Sequence, residues 1–135
     1  MGEVPKGFEL SFLTSPFLEL VGPFYTKDHD GGFIIGVRAA KKHCNTRGFI
    51  HGGLISTLAD FALGYNAARS GSPPMKVATI NLATDFSGYA ELGDWLEAHV
   101  DIQKVGKSLA FANAYIYANG KRIARSSGVY NLISE

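Results

Sequence analysis

The segment from Asn45 to Asp60 holds the side chains with the clearest potential for chemistry. The helical period of about 100° per residue places four residues on one narrow stripe: Gly53, Thr57, Asp60 and Gly64. The stripe carries one carboxylate among small residues and lacks the Lys, Glu and Arg of an ordinary solvated face. Glycine inside a helix costs about 1 kcal/mol relative to alanine, so Gly64 indicates a need for close approach. We predict that another group approaches Asp60 here; the alternative is a plain solvated face.

A second feature is the sequence His51-Gly52-Gly53 at the start of the same helix. The first N–H groups of a helix have no acceptor within it, and the helix dipole is positive at this end. Glycine lets a ligand come close to the backbone. The pattern therefore indicates a site that could polarise a carbonyl group, although a merely flexible helix start would have the same sequence.

The element that positions these residues is a long helix predicted over Gly53–Ser70. Apolar residues recur at helical spacing on its other side: Leu54, Leu58, Phe61 and Tyr65. The sequence Gly71-Ser72-Pro73-Pro74 should end the helix, because proline cannot continue it.

Shorter elements surround this helix. A short helix is predicted over Pro16–Val21, with Ser15 as its N-cap and Gly22-Pro23 as its end. Phe24–Ala40 has the pattern of a hairpin, and Lys41–His51 that of a loop. Four further strands are predicted near Val77–Ser87, Asp94–Val105, Ser108–Ala118 and Lys121–Ile133, with turns at Gly106-Lys107 and Asn119-Gly120. The order predicts an α+β fold in which an antiparallel sheet packs on one long helix.

Composition limits the classes of function. The chain has 135 residues, which fits one domain over 1–135, and its formal charge of +1 gives no reason to expect nucleic acid or an anionic membrane as partner. A single cysteine excludes an intrachain disulfide, and no segment has the pattern of a signal peptide or a membrane span. The histidines lack the spacing of metal ligands, so no metal is expected. The expectation is a soluble cytoplasmic protein.

The motif Asn45-x5-His51-Gly52-Gly53, with Asp60 nine residues after the histidine, resembles the signature of PaaI-like hotdog thioesterases, the phenylacetic acid degradation and 4-hydroxybenzoyl-CoA thioesterase family. Three more segments are similar to that family: Pro16–Leu20, Lys104–Phe111, and Gly120–Ala124 with Gly128. The resemblance implies a hotdog fold, with about six antiparallel strands wrapped around one long helix. It also implies a homodimer, commonly paired into a dimer of dimers, that binds acyl-CoA between subunits.

The implied activity is hydrolysis of an acyl-CoA thioester, without a separate cofactor because coenzyme A is part of the substrate. Asp60 lies seven residues beyond Gly53, roughly 10 Å along the helix. A base or nucleophile must act within about 3 Å of the reacting atom. Asn45, His51 and Gly52 of one subunit are therefore expected to act with Asp60 of another. Gly52 would polarise the carbonyl, and Asp60 would activate water or attack directly.

The remaining roles are less sharply defined by the sequence. Asn45 could orient the water or the carboxylate, and His51 could hold the helix start or touch the thioester. Gly53 and Thr57 are predicted substrate contacts because they share the stripe with Asp60.

Some relatives of this group carry a Ser or Thr on the strand after the helix, near the attacking water. Our alignment puts Ala78 at that position, with Thr79 beside it. Because successive side chains of a strand point to opposite faces, the role of Thr79 as a substrate contact depends on an offset of one residue.

The nucleotide end of coenzyme A is expected near the hairpin that contains Lys104, Gly106 and Lys107. The two lysines supply positive charge, and the Gly106 turn could offer backbone N–H groups to phosphate. A solvated turn would have the same composition.

Two other functions remain open from the sequence. Hotdog dehydratases act on acyl thioesters but pair a histidine with a carboxylate, and no second histidine lies near Asp60 in sequence. A non-catalytic acyl-CoA-binding protein would keep the pocket without needing Asp60.

Overall fold

The computed structural model of the protein describes residues 3–71 and 73–133. The elements over these residues are β1 (Glu9–Leu10), α1 (Pro16–Val21), β2 (Phe24–His29), β3 (Gly32–Arg38), a 3-10 turn (Lys41–His43), α2 (Gly52–Arg69), β4 (Lys76–Phe86), β5 (Trp95–Val105), β6 (Leu109–Ala118) and β7 (Lys121–Ile133). Ser72 of the predicted helix stop and both ends of the predicted domain lie outside the described residues.

The strands form one antiparallel sheet in the order β1-β2-β3-β5-β6-β7-β4. The predicted hotdog architecture of about six strands and one long helix is confirmed. The additional strand is β1, whose two residues pair with the start of β2 through Glu9 and Thr26. Strand β4 follows α2 in the chain but lies at the far edge of the sheet beside β7, so α2 packs across the strands that separate β3 from β4.

Helix α2 is the centre of the core. Leu58, Ala59, Ala62 and Leu63 are fully buried against the sheet. Truncation of a fully buried leucine to alanine costs about 2–5 kcal/mol, so this face contributes strongly to holding the helix on the sheet. The predicted span Gly53–Ser70 is shifted by one residue from the observed span Gly52–Arg69.

Local turn and capping residues behave as the sequence predicts. Ser15 accepts a hydrogen bond from the Leu18 N–H at 3.2 Å and caps α1. Asn119 and Gly120 both have positive φ, 49° and 84°, as the turn of a two-residue hairpin requires. The segment predicted as a loop, Lys41–His51, contains the short 3-10 turn. Among the described residues, none of the helices is long and apolar enough to cross a membrane.

Candidate active site

The Asp60 carboxylate lies partly buried on α2, where two hydroxyl groups hold one of its oxygens. The Tyr130 hydroxyl donates to Oδ1 of Asp60 at 2.8 Å, and the Thr79 hydroxyl donates to the same atom at 3.0 Å. Oδ2 accepts no hydrogen bond from any described residue. One chain therefore anchors one oxygen of this carboxylate and leaves the other available.

Tyr130 fits against α2 because two glycines leave room for its ring. A Cβ on Gly64 would lie 3.3 Å from the ring, and a Cβ on Gly128 would lie 2.6 Å from it. The group that approaches the Gly64 end of the predicted stripe is thus a tyrosine of the same chain. Tyr130 is 1% exposed. Burial, and then the charge of Asp60 and the hydrogen bond to it, raise the pKa of the Tyr130 hydroxyl, so it remains a protonated donor.

A β-bulge decides which residue of β4 faces Asp60. Leu82 packs on the core opposite Gly128, and simple alternation backward from Leu82 would turn Ala78 inward and Thr79 outward. The register shift between Thr79 and Asn81 inserts one residue and reverses this parity. Thr79 consequently pairs with Tyr130 and faces the helix. The expectation that Ala78 takes the position beside the carboxylate is wrong, since Thr79 occupies it.

The helix start, consisting of His51, Gly52 and Gly53, offers one backbone donor. Nδ1 of His51 accepts from the Gly53 N–H at 2.9 Å and caps the helix, which leaves the hydrogen of the neutral ring on Nε2. The Gly52 N–H has no acceptor among the described residues. The Phe86 ring covers this glycine, because a Cβ on Gly52 would lie 3.3 Å from it. Of the two donors predicted here, only that of Gly52 is free for a ligand.

Asn45 shapes the loop before the helix. Its Oδ1 accepts from the N–H groups of Arg47 and Phe49, at 2.9 and 3.1 Å. Gly48 completes this turn with a φ of 86°. The side-chain oxygen of Asn45 is therefore occupied, while its Nδ2 donates to no acceptor in the described part of the chain. Only this amide nitrogen remains for a ligand or a partner subunit.

His43, for which the sequence predicted no role, connects the loop before α2 to neighbouring backbone groups through hydrogen bonds. Its Nδ1 accepts from the Ala40 N–H at 2.9 Å, and its Nε2–H donates to the Val21 carbonyl at 2.5 Å. Its own carbonyl accepts from the His51 N–H at 2.7 Å. Burial, and to a lesser degree the charge of Lys42, lower the pKa of His43 despite the opposing effect of its bond to Val21, so the ring is neutral. A buried neutral histidine thus holds the backbone directly before Gly52.

The structure does not bring Gly52 and Asp60 of one chain together. Helix α2 runs without interruption between them, so a rise of about 1.5 Å per residue separates them by about 12 Å. Thr57 lies between them, but its hydroxyl donates to the Gly53 carbonyl within the helix at 2.9 Å. No single carbonyl group could therefore lie within reach of both the Gly52 N–H and the Asp60 carboxylate of one chain.

The hairpin between β5 and β6 differs from its prediction in one respect. The Gly106 N–H donates to the Leu109 carbonyl at 2.7 Å and closes the turn, so it is not available to a phosphate. Lys104 and Lys107 are exposed, as a role in anion binding requires. The charges of Lys104 and Lys107 remain compatible with the predicted binding of phosphate, whereas the Gly106 N–H is not.

Sequence reasoning missed Tyr130 and Phe86. Tyr130 lies 70 residues from Asp60, so no local spacing joins them. The available signal was a pair of glycines inside regular elements, Gly64 in α2 and Gly128 in β7, since each such glycine marks a position where another group comes close.

Comparison with known proteins gives a consistent result. Residues 47–124 match the family model described as the thioesterase superfamily. A protein of Pseudomonas aeruginosa with the name "Putative esterase PA0474" is 44% identical over 133 residues, which cover 98% of this chain and 99% of that protein.

Solved structures share the fold. The PaaI protein of the E. coli phenylacetic acid degradation operon has a TM-score of 0.79 at 20% identity, covering 89% of this chain and 86% of that one. A Streptococcus mutans protein bound to acetyl CoA has a TM-score of 0.76 at 20% identity, covering 83% and 90%. With a family match over more than half of its length and a close relative along nearly all of it, this chain belongs to the thioesterase superfamily.

Proposed function

We propose that the protein is an acyl-CoA thioesterase, which hydrolyses an acyl-CoA thioester to a free acid and coenzyme A at a site shared between two subunits. The observation that carries the proposal is the state of Asp60, whose Oδ1 is held by two hydroxyls while Oδ2 accepts no hydrogen bond from the described residues. Family membership supports thioester hydrolysis, and the fold neighbour bound to acetyl CoA supports coenzyme A as the carrier.

The need for a second subunit follows from the distance between the two reactive groups. The Gly52 N–H and the Asp60 carboxylate are about 12 Å apart along one helix. If the helices of two chains lie antiparallel, side by side, Gly52 of each chain faces Asp60 of the other. Strand β4 is at the sheet edge with Ile80 and Phe86 exposed, so pairing of two β4 strands about a twofold axis would cover that edge.

The chemistry assigns one task to each group. The Gly52 N–H donates to the thioester carbonyl and stabilises the negative charge that forms on its oxygen. In one route, Oδ2 of Asp60 takes a proton from water as the water oxygen bonds to the carbonyl carbon; the C–S bond then breaks, and the leaving thiolate takes that proton. In the other route, Oδ2 bonds directly to the carbonyl carbon and expels the thiolate, and water hydrolyses the resulting anhydride. Both end in a free acid and coenzyme A.

Three groups at the edges of the site complete the proposal. Nδ2 of Asn45 is free to orient the attacking water or the partner's carboxylate. We assign Lys104 and Lys107 to the nucleotide end of coenzyme A, where their charges would attract its phosphates. His51 acts first as the cap of α2, and its exposed Nε2 is available to the substrate.

The test is release of free thiol from a panel of aryl and alkyl acyl-CoA esters by wild type and Asp60→Asn. We expect wild type to turn over at least one ester, and the amide variant to lose most of that rate while still binding the ester. Asp101→Asn, an exposed carboxylate on β5, is the matched control and should retain the wild-type rate. Binding without hydrolysis by wild type would instead indicate a non-catalytic acyl-CoA-binding protein. Loss of water from a hydroxyacyl ester would indicate a dehydratase.

A further inference from the structure

We propose that Tyr130 is a positioning residue for Asp60. Together with Thr79 it holds Oδ1, so that Oδ2 is the oxygen that reacts with water or with the substrate. The two hydroxyls reach the same atom at 2.8 and 3.0 Å. The inference rests on the proposed hydrolysis, because it names the atom of Asp60 that performs it.

Two bonds to one oxygen restrict the carboxylate in a way that one bond to each oxygen would not. A carboxylate held at both oxygens would have to break a bond before reacting. A carboxylate held at neither could rotate about the Cβ–Cγ bond and present either atom. With Oδ1 held twice, the plane of the group and the direction of Oδ2 are both fixed, which places a reacting atom before substrate arrives.

Burial separates the role of Tyr130 from that of the reacting groups. Its side chain is 1% exposed and lies between α2 and the sheet, so it has no access to a substrate. Burial raises the pKa of its hydroxyl, which therefore stays a donor rather than competing with Asp60 for protons. Its effect on the reaction can come only through the carboxylate.

The surroundings of Tyr130 hold it more firmly than those of Thr79. The ring lies against Gly64 and Gly128, and its hydroxyl also lies 3.4 Å from the Asp60 carbonyl. Thr79 is an exposed residue of the edge strand β4 and lies directly beside the β-bulge. We therefore expect loss of the tyrosine hydroxyl to affect the reaction more than loss of the threonine hydroxyl.

The experiment compares Tyr130→Phe and Thr79→Val with wild type on the best ester, below the melting temperature of each variant. Misplacement of a reacting group by about 1 Å can lower a rate on the order of 10²-fold, so Tyr130→Phe should lower kcat by about 10- to 100-fold. KM should change little, because substrate does not touch Tyr130. Thr79→Val should lower kcat less, and Thr79→Ser should restore it. Tyr115→Phe, on the opposite face of the sheet, is the matched control.

Two further variants distinguish positioning from a general loss of structure. In an Asp60→Asn background, adding Tyr130→Phe should change the residual rate by less than about twofold, since residues that act as a unit are not additive. Gly64→Ala keeps the hydroxyl but moves the ring by a few tenths of an ångström, and it should lower kcat by a smaller factor at unchanged KM.

The outcomes separate this inference from the proposed function. If Asp60→Asn abolishes hydrolysis and Tyr130→Phe leaves kcat unchanged, the positioning role is overturned and the thioesterase remains. If Tyr130→Phe lowers kcat equally with and without Asp60, the tyrosine supports the fold rather than the carboxylate, and the positioning role is again overturned. If Asp60→Asn hydrolyses as fast as wild type, both proposals fail.

Discussion

Asp60 and Gly52 lie on the same helix, but the described residues of one chain supply hydrogen-bond partners only to the Asp60 carboxylate and not to the Gly52 N–H. At the anchor, formed by Asp60, Thr79 and Tyr130, the chain supplies two donors to one oxygen. At the helix start, the chain supplies a donor that no described residue accepts from. The anchor needs nothing further to fix the carboxylate, whereas the Gly52 N–H has no acceptor in the described part of the chain.

Folding of a single chain fixes only one half of the proposed site. Packing of α2 on the sheet places Tyr130 under Asp60, so folding of the chain fixes the direction of the carboxylate. No packing within one chain can bring Gly52 within reach of Asp60, because the rigid helix keeps them about 12 Å apart. The proposed reaction consequently depends on folding for the position of its carboxylate and on association for its carbonyl donor.

Gly52→Pro gives the largest expected effect and tests the helix start alone. Proline is favoured at the first position of a helix and lacks the N–H, and His51 already has the extended backbone that precedes proline. Loss of one oxyanion donor lowers kcat by about 10²–10³-fold, and we expect that loss with melting temperature unchanged. Gly52→Ala keeps the N–H and adds a methyl group 3.3 Å from the exposed Phe86 ring, so it should lose much less activity than the proline variant. Equal rates for the proline variant and wild type would exclude the Gly52 N–H as the donor.

Gly128→Ala tests the anchor through its packing. The new methyl group would lie 2.6 Å from the Tyr130 ring and 3.1 Å from its hydroxyl oxygen, so the ring must move. Overpacking of a core typically costs about 1–3 kcal/mol, and we expect that loss in the free energy of unfolding together with a lower kcat. Denaturant titration and steady-state kinetics measure the two effects. Ser127→Ala, the neighbouring exposed position, should change neither; an unchanged stability for Gly128→Ala would contradict the tight seating of Tyr130.

His51→Ala separates capping from catalysis at the helix start. The variant loses the acceptor for the Gly53 N–H, and loss of an N-cap costs about 1 kcal/mol of stability. His51→Asn should recover most of that stability, because asparagine caps as well. Activity that recovers with His51→Asn assigns the histidine a capping role. Stability that recovers while activity stays low assigns it a contact with substrate.

The smallest expected effect is the pH dependence conferred by His43. Burial lowers its pKa from the ordinary value of 6.5, so the folded state binds a proton less readily than the unfolded state. The corresponding stability is present in full above about pH 6.5 and is lost as the pH falls through the lowered pKa. Thermal unfolding between pH 5 and 8 should show a shallower decline for His43→Gln than for wild type.

The fold was predictable wherever adjacent residues decide it. Ser15 and Pro16 begin α1, Asn119-Gly120 turns the last hairpin, and the apolar spacing of α2 gives its length to within one residue. In each case a few neighbouring residues determine the backbone conformation. The placement of β4 at the sheet edge beside β7 was not predicted, because strand order depends on pairings between distant segments.

The candidate site likewise has one part that neighbouring residues predict and another part that depends on distant residues. Helical spacing alone predicts a carboxylate among small residues on one stripe of α2, and the motif His51-Gly52-Gly53 predicts a glycine N–H at the start of that helix. The tertiary structure alone decided that Tyr130 and Thr79, 70 and 19 residues from Asp60, meet at one oxygen. The physical reason is that a single bulge determines which side chains of β4 face the helix, and that Gly64 and Gly128 leave the space for the Tyr130 ring. Neither feature produces a periodic pattern in the neighbouring sequence.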